Sequence, residues 1–372
     1  MIKILIADDS AFMRKLLRDL FSKEADFELV GEAKTGKEAV DMVLKLKPNV
    51  LTLDVNMPVM DGLTALKAIM EVNPLPVLML SSLTKEGASE TIEALSLGAI
   101  DFIAKEGGSI SKIDNIADDI VHKVRTAARA IVRPHGKITA PTSRTTTRLS
   151  TLARSPNPLL GAKTTPEPTT KTNPFQKQVK PLGTKLVAIG TSTGGPMALQ
   201  AVIPHLPADL PAGVVVVQHM PAGFTEPLAK RLDGISKVKV KEAENHELIR
   251  AGTVYIAPGG YHMTVKQSGF SREISLNQDP PLANHRPAVD VLFDSVAGYG
   301  TDIVSVIMTG MGNDGMAGMK KIKAANGLVI AESKDTCTVY GMPKAVVEAG
   351  LADKVVPVTD IAAEITAAVR KK

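Results

Sequence analysis

Between Arg133 and Pro181 the chain lacks the means to build a core, and this divides everything else in two. These 49 residues hold nine Lys or Arg against one acid, Glu167, together with eight prolines, eleven threonines and a single aromatic, Phe175. So little apolar side chain does not offset the entropy of ordering the backbone. The segment reads as a flexible, basic, Pro/Thr-rich linker over 131–182, with one unit before it (1–125) and one after it (183–372). At roughly 150 residues per domain, a chain of 372 residues allows two or three domains, and the segment leaves two such units. A coil of this length spans about 40 Å, so the units stay close, at an effective concentration on the order of millimolar. The segment carries +8 of a total formal charge of +5, which leaves −3 for the rest. The basic character therefore belongs to the linker. A solvated tether is a simpler reading of it than a contact for nucleic acid or anionic lipid.

Composition narrows the function further. No apolar run approaches the 18 residues of a membrane span. The opening Met1–Ala7 runs straight into Asp8-Asp9, which suits a strand better than a secretory signal. A lone cysteine, Cys337, excludes an internal disulfide framework and points to a reducing, cytoplasmic setting. With no Trp and 3% aromatic residues there is little to stack on bases, so no nucleic-acid partner is expected.

In the first unit, short apolar runs at Ile2–Ala7, Phe27–Gly31, Val50–Leu53, Val77–Leu80 and Ile100–Ala104 alternate with amphipathic stretches beginning near Ala11, Gly36, Gly62, Glu86 and Ile110. That alternation predicts a parallel sheet covered on both faces, with a site beyond the carboxyl ends of its strands. Those ends carry Asp8-Asp9, Asp54, Ser81-Ser82 and Lys105. Three crowded carboxylates repel one another unless a positive group intervenes, and a hard cation such as Mg²⁺ answers that need. A carboxylate beside Mg²⁺ and a lysine can act as nucleophile toward a phosphoryl donor. Any one of these acids could be a helix cap, but caps do not account for complementary groups at four strand ends.

In the second unit, the strand Lys185–Ile189 runs into Gly190-Thr191-Ser192-Thr193-Gly194-Gly195-Pro196 and then a helix over Met197–Leu206. A phosphate-binding loop would need Gly-Lys-Ser/Thr, and a dinucleotide site Gly-x-Gly-x-x-Gly; neither is present. Residues 190–194 do fit Gly-x-Ser-x-Gly, a nucleophile elbow that presents Ser192 at a helix N-terminus. The strand Val214–Val217 ends in Gln218-His219, and Ile303–Met308 ends in a glycine-rich turn holding Asp314 before a helix over Met316–Ala325. Ser192, His219 and Asp314 can therefore form a triad of nucleophile, base and orienting acid. The chain order Ser, His, Asp differs from the α/β-hydrolase order, so a doubly wound, mainly parallel α/β domain of another kind is expected. Asp290 and Asp294 fall on a predicted helix and read as a helix face. His285 and Arg286 could line the substrate mouth. Cys337 reads as a small buried residue.

Two resemblances follow from these motifs. Ile-Ala-Asp-Asp-Ser at 6–10, Leu-Asp-Val-Asn-Met-Pro-Val-Met-Asp-Gly at 53–62, Leu-Ser-Ser at 80–82 and Asp-Phe-Ile-Ala-Lys at 101–105 resemble a two-component receiver domain, a flavodoxin-like (βα)5 fold. The resemblance makes Asp54 the phospho-acceptor and Ser81, Phe102 and Lys105 the switch residues. It places Mg²⁺ among Asp8, Asp9, Asp54 and the backbone carbonyl of Asn56. Glu106 departs from the Pro that many receivers carry there. Gly190–Pro196, Gln218-His219-Met220-Pro221, His285-Arg286-Pro287, Thr309–Gly315 and Tyr340-Gly341-Met342-Pro343 resemble the catalytic domain of the chemotaxis protein-glutamate methylesterases, the CheB family. That resemblance implies Ser192, His219 and Asp314 as the triad, backbone N–H groups of Thr193 and Met311 as oxyanion donors, and no metal in this half. It implies hydrolysis of glutamate methyl esters on the cytoplasmic helices of chemoreceptors, deamidation of receptor glutamines, a chemotaxis histidine kinase as phosphodonor, and inhibition by the unphosphorylated receiver. The competing classes are a receiver fused to a hydrolase of another ester, and a non-enzymatic response regulator.

Overall fold

The computed structural model describes residues 1–105, 113–132, 185–269 and 271–371. Most of the expected linker, Glu106 and the expected helix start at Ile110 lie outside the described residues.

The first unit alternates β1 (Ile2–Ala7), α1 (Ala11–Phe21), β2 (Phe27–Ala33), α2 (Gly36–Leu46), β3 (Val50–Asp54), α3 (Gly62–Val72), β4 (Val77–Ser82), α4 (Lys85–Ser96), β5 (Asp101–Lys105) and α5 (Ile113–Ala127). Ser10, Thr35, Asp61 and Thr84 start α1 to α4, each accepting a backbone N–H of the first turn. All five strands pair in parallel, in the order β2-β1-β3-β4-β5. β3 is wholly buried, as a strand covered on both faces must be. The register sets Asp54 beside Leu80 and Ser82 beside Lys105, so the four polar strand ends share one edge.

The second unit contains β6 (Leu186–Thr191), α6 (Gly195–Val202), β7 (Gly213–Gln218), α7 (Thr225–Ile235), β8 (Lys239–Glu242), β9 (Thr253–Ile256), β10 (His262–Ser268), β11 (Ser271–Asn277), α8 (Val289–Val296), β12 (Ile303–Ile307), α9 (Met316–Ala324), β13 (Leu328–Glu332), α10 (Met342–Glu348), β14 (Lys354–Val356) and α11 (Val358–Arg370). Seven strands form a parallel sheet, β14-β13-β12-β6-β7-β9-β8, and β10 and β11 form a separate antiparallel pair. Sequence order reverses at β6, with β7 on one side and β12 on the other. That switch point is where an open parallel sheet leaves a crevice.

The units are docked. α4 packs on α6 and α7, and one apolar cluster runs from the receiver-like sheet into the second sheet. Among the described residues no helix is long and apolar enough to cross a membrane.

Candidate active site

Ser192, His219 and Asp314 follow β6, β7 and β12, three adjacent strands, and the fold brings them together at the switch point. Ser192 Oγ lies 3.2 Å from His219 Nδ1, and His219 Nε2 lies 2.7 Å from Asp314 Oδ2. All three side chains are nearly out of solvent.

The elbow is built from close approaches. Gly194 sits at φ +78 before the first turn of α6, and Pro196 occupies that turn. The Ser192 N–H donates to Thr309 O (3.0 Å), which ties the elbow to the loop after β12. Gly310 passes so near that a Cβ there would lie 2.8 Å from Ser192 Cβ. The N–H groups of Thr193 and Met311 make no hydrogen bond among the described residues.

Asp314 is not the cap of α9, the helix that follows it; Gly315 stands at that position. Its carboxylate instead accepts the N–H groups of Val289 (2.7 Å) and Asp290 (2.8 Å), the start of α8. Burial pushes its pKa up, but the His219 hydrogen bond and charge and the two α8 N–H groups outweigh this, and the net shift is downward. Asp314 is thus held as the anion that a triad needs.

Several residues carry weight that their place in the sequence does not announce. Gln218, almost fully buried, donates its amide to Ser192 O (2.9 Å) and His219 O (3.0 Å) and accepts from Thr191 Oγ1 (2.6 Å). It staples the elbow to His219. A polar residue ending the run Val214–Val217 is the available signal. Thr309 accepts the Ser192 N–H on its carbonyl, donates its hydroxyl to Thr193 O (2.9 Å), and is anchored by buried Glu332, which accepts its N–H (2.8 Å). His285 stacks on His219, ring centroids 3.8 Å apart and planes within 12°. His262 is structural: Nδ1 accepts the Ala288 N–H and Nε2 lies 3.2 Å from Pro280 O. Asp290 receives the Gly318 N–H and Asp294 pairs with Lys321, so both serve helix packing. Cys337 is buried.

At the edge of the first sheet, Asp8, Asp9 and Asp54 present oxygens within 4.8 Å of one another. Lys105 Nζ lies 2.9 Å from Asp8 Oδ2 and 2.8 Å from Asp54 Oδ1. Burial raises the Asp54 pKa; Lys105 and the Asn56 N–H pull it down and Asp8 adds to the rise, leaving it net raised. A cluster of hard oxygen donors with charge to spare fits a divalent cation such as Mg²⁺. The Ser81 hydroxyl makes no hydrogen bond to Asp54: it lies 3.1 Å from Ser82 O and 3.2 Å from Gly87 O and receives the Thr91 hydroxyl, so it is held against α4. Phe102, 3% exposed, stacks on Phe224 just before α7.

The first unit also reaches the elbow itself. Thr193 Oγ1 donates to Asp101 Oδ2 (2.7 Å), the Gly194 N–H donates to Ile100 O (3.1 Å), and Thr126 Oγ1 contacts Met311 Sδ.

A family profile described as CheB methylesterase matches residues 187–365, and one described as response regulator receiver domain matches 4–117. A protein-glutamate methylesterase/protein-glutamine glutaminase of Archaeoglobus fulgidus is 48% identical over 364 residues, covering 98% of this chain and 97% of that protein. One of the same name from Bacillus subtilis is 46% identical over 376 residues, covering 100% and 99%. The solved CheB methylesterase catalytic domain of Thermotoga maritima is 48% identical with a TM-score of 0.49, covering 49% of this chain and 97% of that one. With near-complete coverage at such identity, the chain belongs to the CheB family, protein-glutamate methylesterases/protein-glutamine glutaminases that carry a receiver domain.

Proposed function

We propose that this chain is a phosphorylation-regulated protein-glutamate methylesterase and protein-glutamine glutaminase of chemotaxis adaptation, acting through Ser192, His219 and Asp314. The observation that carries the chemistry is the continuous relay of Oγ, imidazole and carboxylate at 3.2 and 2.7 Å. His219 takes the hydroxyl proton as Ser192 attacks the ester carbonyl, and Asp314 stabilises the imidazolium that forms. The oxyanion faces the N–H groups of Thr193 and Met311; one such donor contributes about 3 kcal/mol to the barrier. His219 then protonates the departing methoxide. Water, deprotonated by His219, attacks the acyl-serine and frees the glutamate. With a glutamine amide the same steps release ammonia. These steps need no metal in this half.

The receiver supplies the control. Asp54 accepts the phosphoryl group from a chemotaxis histidine kinase. Asp8, Asp9, Asp54 and the Asn56 carbonyl would hold Mg²⁺, which would neutralise charge on the phosphoryl oxygens. Lys105 pairs with the same oxygens, and Ser81 turns from Gly87 toward them. That movement releases Phe102 from Phe224 and uncovers the elbow. The units are 1–125 and 183–372, joined by the linker 131–182, and the protein works in the cytoplasm on the receptor helices there.

The deciding experiment is methanol release from methylated receptor membranes, with and without a small phosphodonor. Release stimulated by the phosphodonor and absent in Ser192→Ala is expected. Turnover retained in Ser192→Ala would move the chemistry to another residue.

A further inference from the structure

Two histidines flank the loop before α8, and they are used differently. His262 spends both ring nitrogens on backbone partners, Ala288 N–H and Pro280 O. Among the described residues His285 spends neither: its ring makes one contact, the stack on His219, with centroids 3.8 Å apart and planes within 12°. A histidine kept only for its hydrogen bonds would not be placed in this way.

The backbone on either side of His285 is tied down instead. Leu282 and His285 exchange both hydrogen bonds, 3.1 and 2.9 Å, around Ala283 and Asn284, which lie at φ +49 and +66. Positive φ at both central residues is the pattern of a tight two-residue turn. The Gly260 N–H donates to Arg286 O (3.0 Å), and Arg286 Nη1 donates to Gln278 O (3.0 Å) and Asp279 O (3.1 Å). Arg286 is thus engaged in holding the turn. The turn is a fixed mount for a single flat ring.

During the reaction His219 passes from a neutral ring to a cation. Its edges are already committed, Nδ1 to Ser192 and Nε2 to Asp314, so only its faces remain to respond to that charge. His285 covers one of them. Neutral aromatic rings prefer centroids about 4.5–7 Å apart over a close face-to-face sandwich, and this pair is closer. A cation, by contrast, is drawn to the face of a neutral ring. The contact therefore gains strength when His219 takes the serine proton, and an interaction stronger in the transition state than in the ground state lowers the barrier. This requires His285 to be neutral, since a second charge on the stack would repel the first. Burial, then the charge of His219, with Lys123 of the docked receiver adding to them against Asp314, hold its pKa down to about 4.

We propose that His285 is a positioning residue for the base: its ring face holds the His219 imidazole in the plane of the relay and stabilises the imidazolium formed as Ser192 gives up its proton. The proposal rests on the triad of the methylesterase reading, and it assigns His285 to the base rather than to the substrate.

The test separates the ring from its nitrogens in the phosphodonor-activated full chain. His285→Phe keeps a neutral ring and removes both nitrogens; His285→Asn keeps a polar group and removes the ring. Urea melts at pH 7 check that each folds, and His285→Tyr replaces His285→Phe if that variant does not. Turnover is read on methylated receptor membranes and on p-nitrophenyl acetate, a small ester with no receptor contacts. A cation–ring contact corresponds to about two- to thirtyfold in rate. His285→Asn should lose roughly tenfold in kcat on both substrates with KM changed less than about twofold, and the ring variant should stay within about threefold of wild type. Equal losses in the ring variant and His285→Asn, a rise in KM with kcat spared, or a loss confined to the receptor would overturn the proposal. Failure of the methylesterase reading appears separately, as a wild-type chain that releases no methanol from receptor membranes, and the nitrophenyl ester still compares the variants in that case.

Discussion

Phe102 of the receiver lies stacked on Phe224 of the catalytic domain, with ring centroids 4.5 Å apart and planes at 25°. The aromatic residue that should report phosphorylation is thus itself the plug of the interdomain contact. An aromatic pair contributes about 0.5–1.5 kcal/mol beyond its area, and truncating a buried Phe costs more again. Phe102→Ala should therefore weaken docking by about 2 kcal/mol and raise methanol release without phosphodonor by up to about thirtyfold. Phe224→Ala should do the same, and the double variant should gain little further, because both remove one contact. Additive gains would show that the two rings act separately.

Asp314→Asn tests the acid of the relay. Its two oxygens accept three hydrogen bonds, from His219 and from the N–H groups of Val289 and Asp290. An amide turns one oxygen into a donor, which must face either the imidazole or an α8 N–H. Turnover should fall by about 10³–10⁴-fold, with a loss of stability of about 1–3 kcal/mol from the orphaned donor. Steady-state kinetics and a urea melt read the two effects separately. A variant that keeps more than a tenth of wild-type turnover would remove Asp314 from the mechanism.

The pH dependence of stability has a clear source in His285. Burial, then the charge of His219, with Lys123 adding to them against Asp314, hold its pKa down to about 4. An unfolded histidine titrates near 6.5, so between these values the unfolded chain binds the extra proton. Stability is then complete above about pH 6.5 and is lost as the pH falls toward 4, by on the order of 1–3 kcal/mol for this group. His285→Asn should flatten that part of the profile in urea melts at pH 7 and pH 5. An unchanged slope would assign the loss to other groups.

The alternation of apolar runs with amphipathic stretches is enough to read two parallel sheets, because buried parallel strands such as β3 and β6 must be apolar along their length. Polar residues at strand ends are legible for the same reason: Asp54 and Gln218-His219 end apolar runs, and Ser192 and Asp314 lie in the glycine-rich turns that follow such runs. What is not legible depends on contacts between distant segments. Nothing near Asp314 in the chain shows that it caps α8, or that Glu332 lies behind Thr309. His285 reads as a mouth residue in the sequence, but its ring stack on His219 arises from a turn whose positive-φ residues, Ala283 and Asn284, are not the usual Asn-Gly signal. The docking of Asp101 on Thr193 likewise joins surfaces that local pattern does not describe.

Gln218 supplies the last prediction. Its amide holds the carbonyls of Ser192 and His219 while Thr191 fixes which way the amide faces, and Gly195 leaves room for it: a Cβ there would lie 1.9 Å from Gln218 Oε1. Gln218→Leu keeps the volume but drops both hydrogen bonds, so the elbow and the base lose their shared tie. Reactant alignment is sensitive to shifts of about 1 Å, at a cost of about 10²-fold. The variant should turn over roughly ten to a hundred times more slowly, with KM changed less than about twofold, since Gln218 is buried and does not meet substrate. Thr191→Val, which frees the amide to turn, should give a smaller loss in the same direction. If Gln218→Leu raised KM and spared kcat, the residue would be a substrate contact and the staple between Ser192 and His219 would carry no catalytic weight.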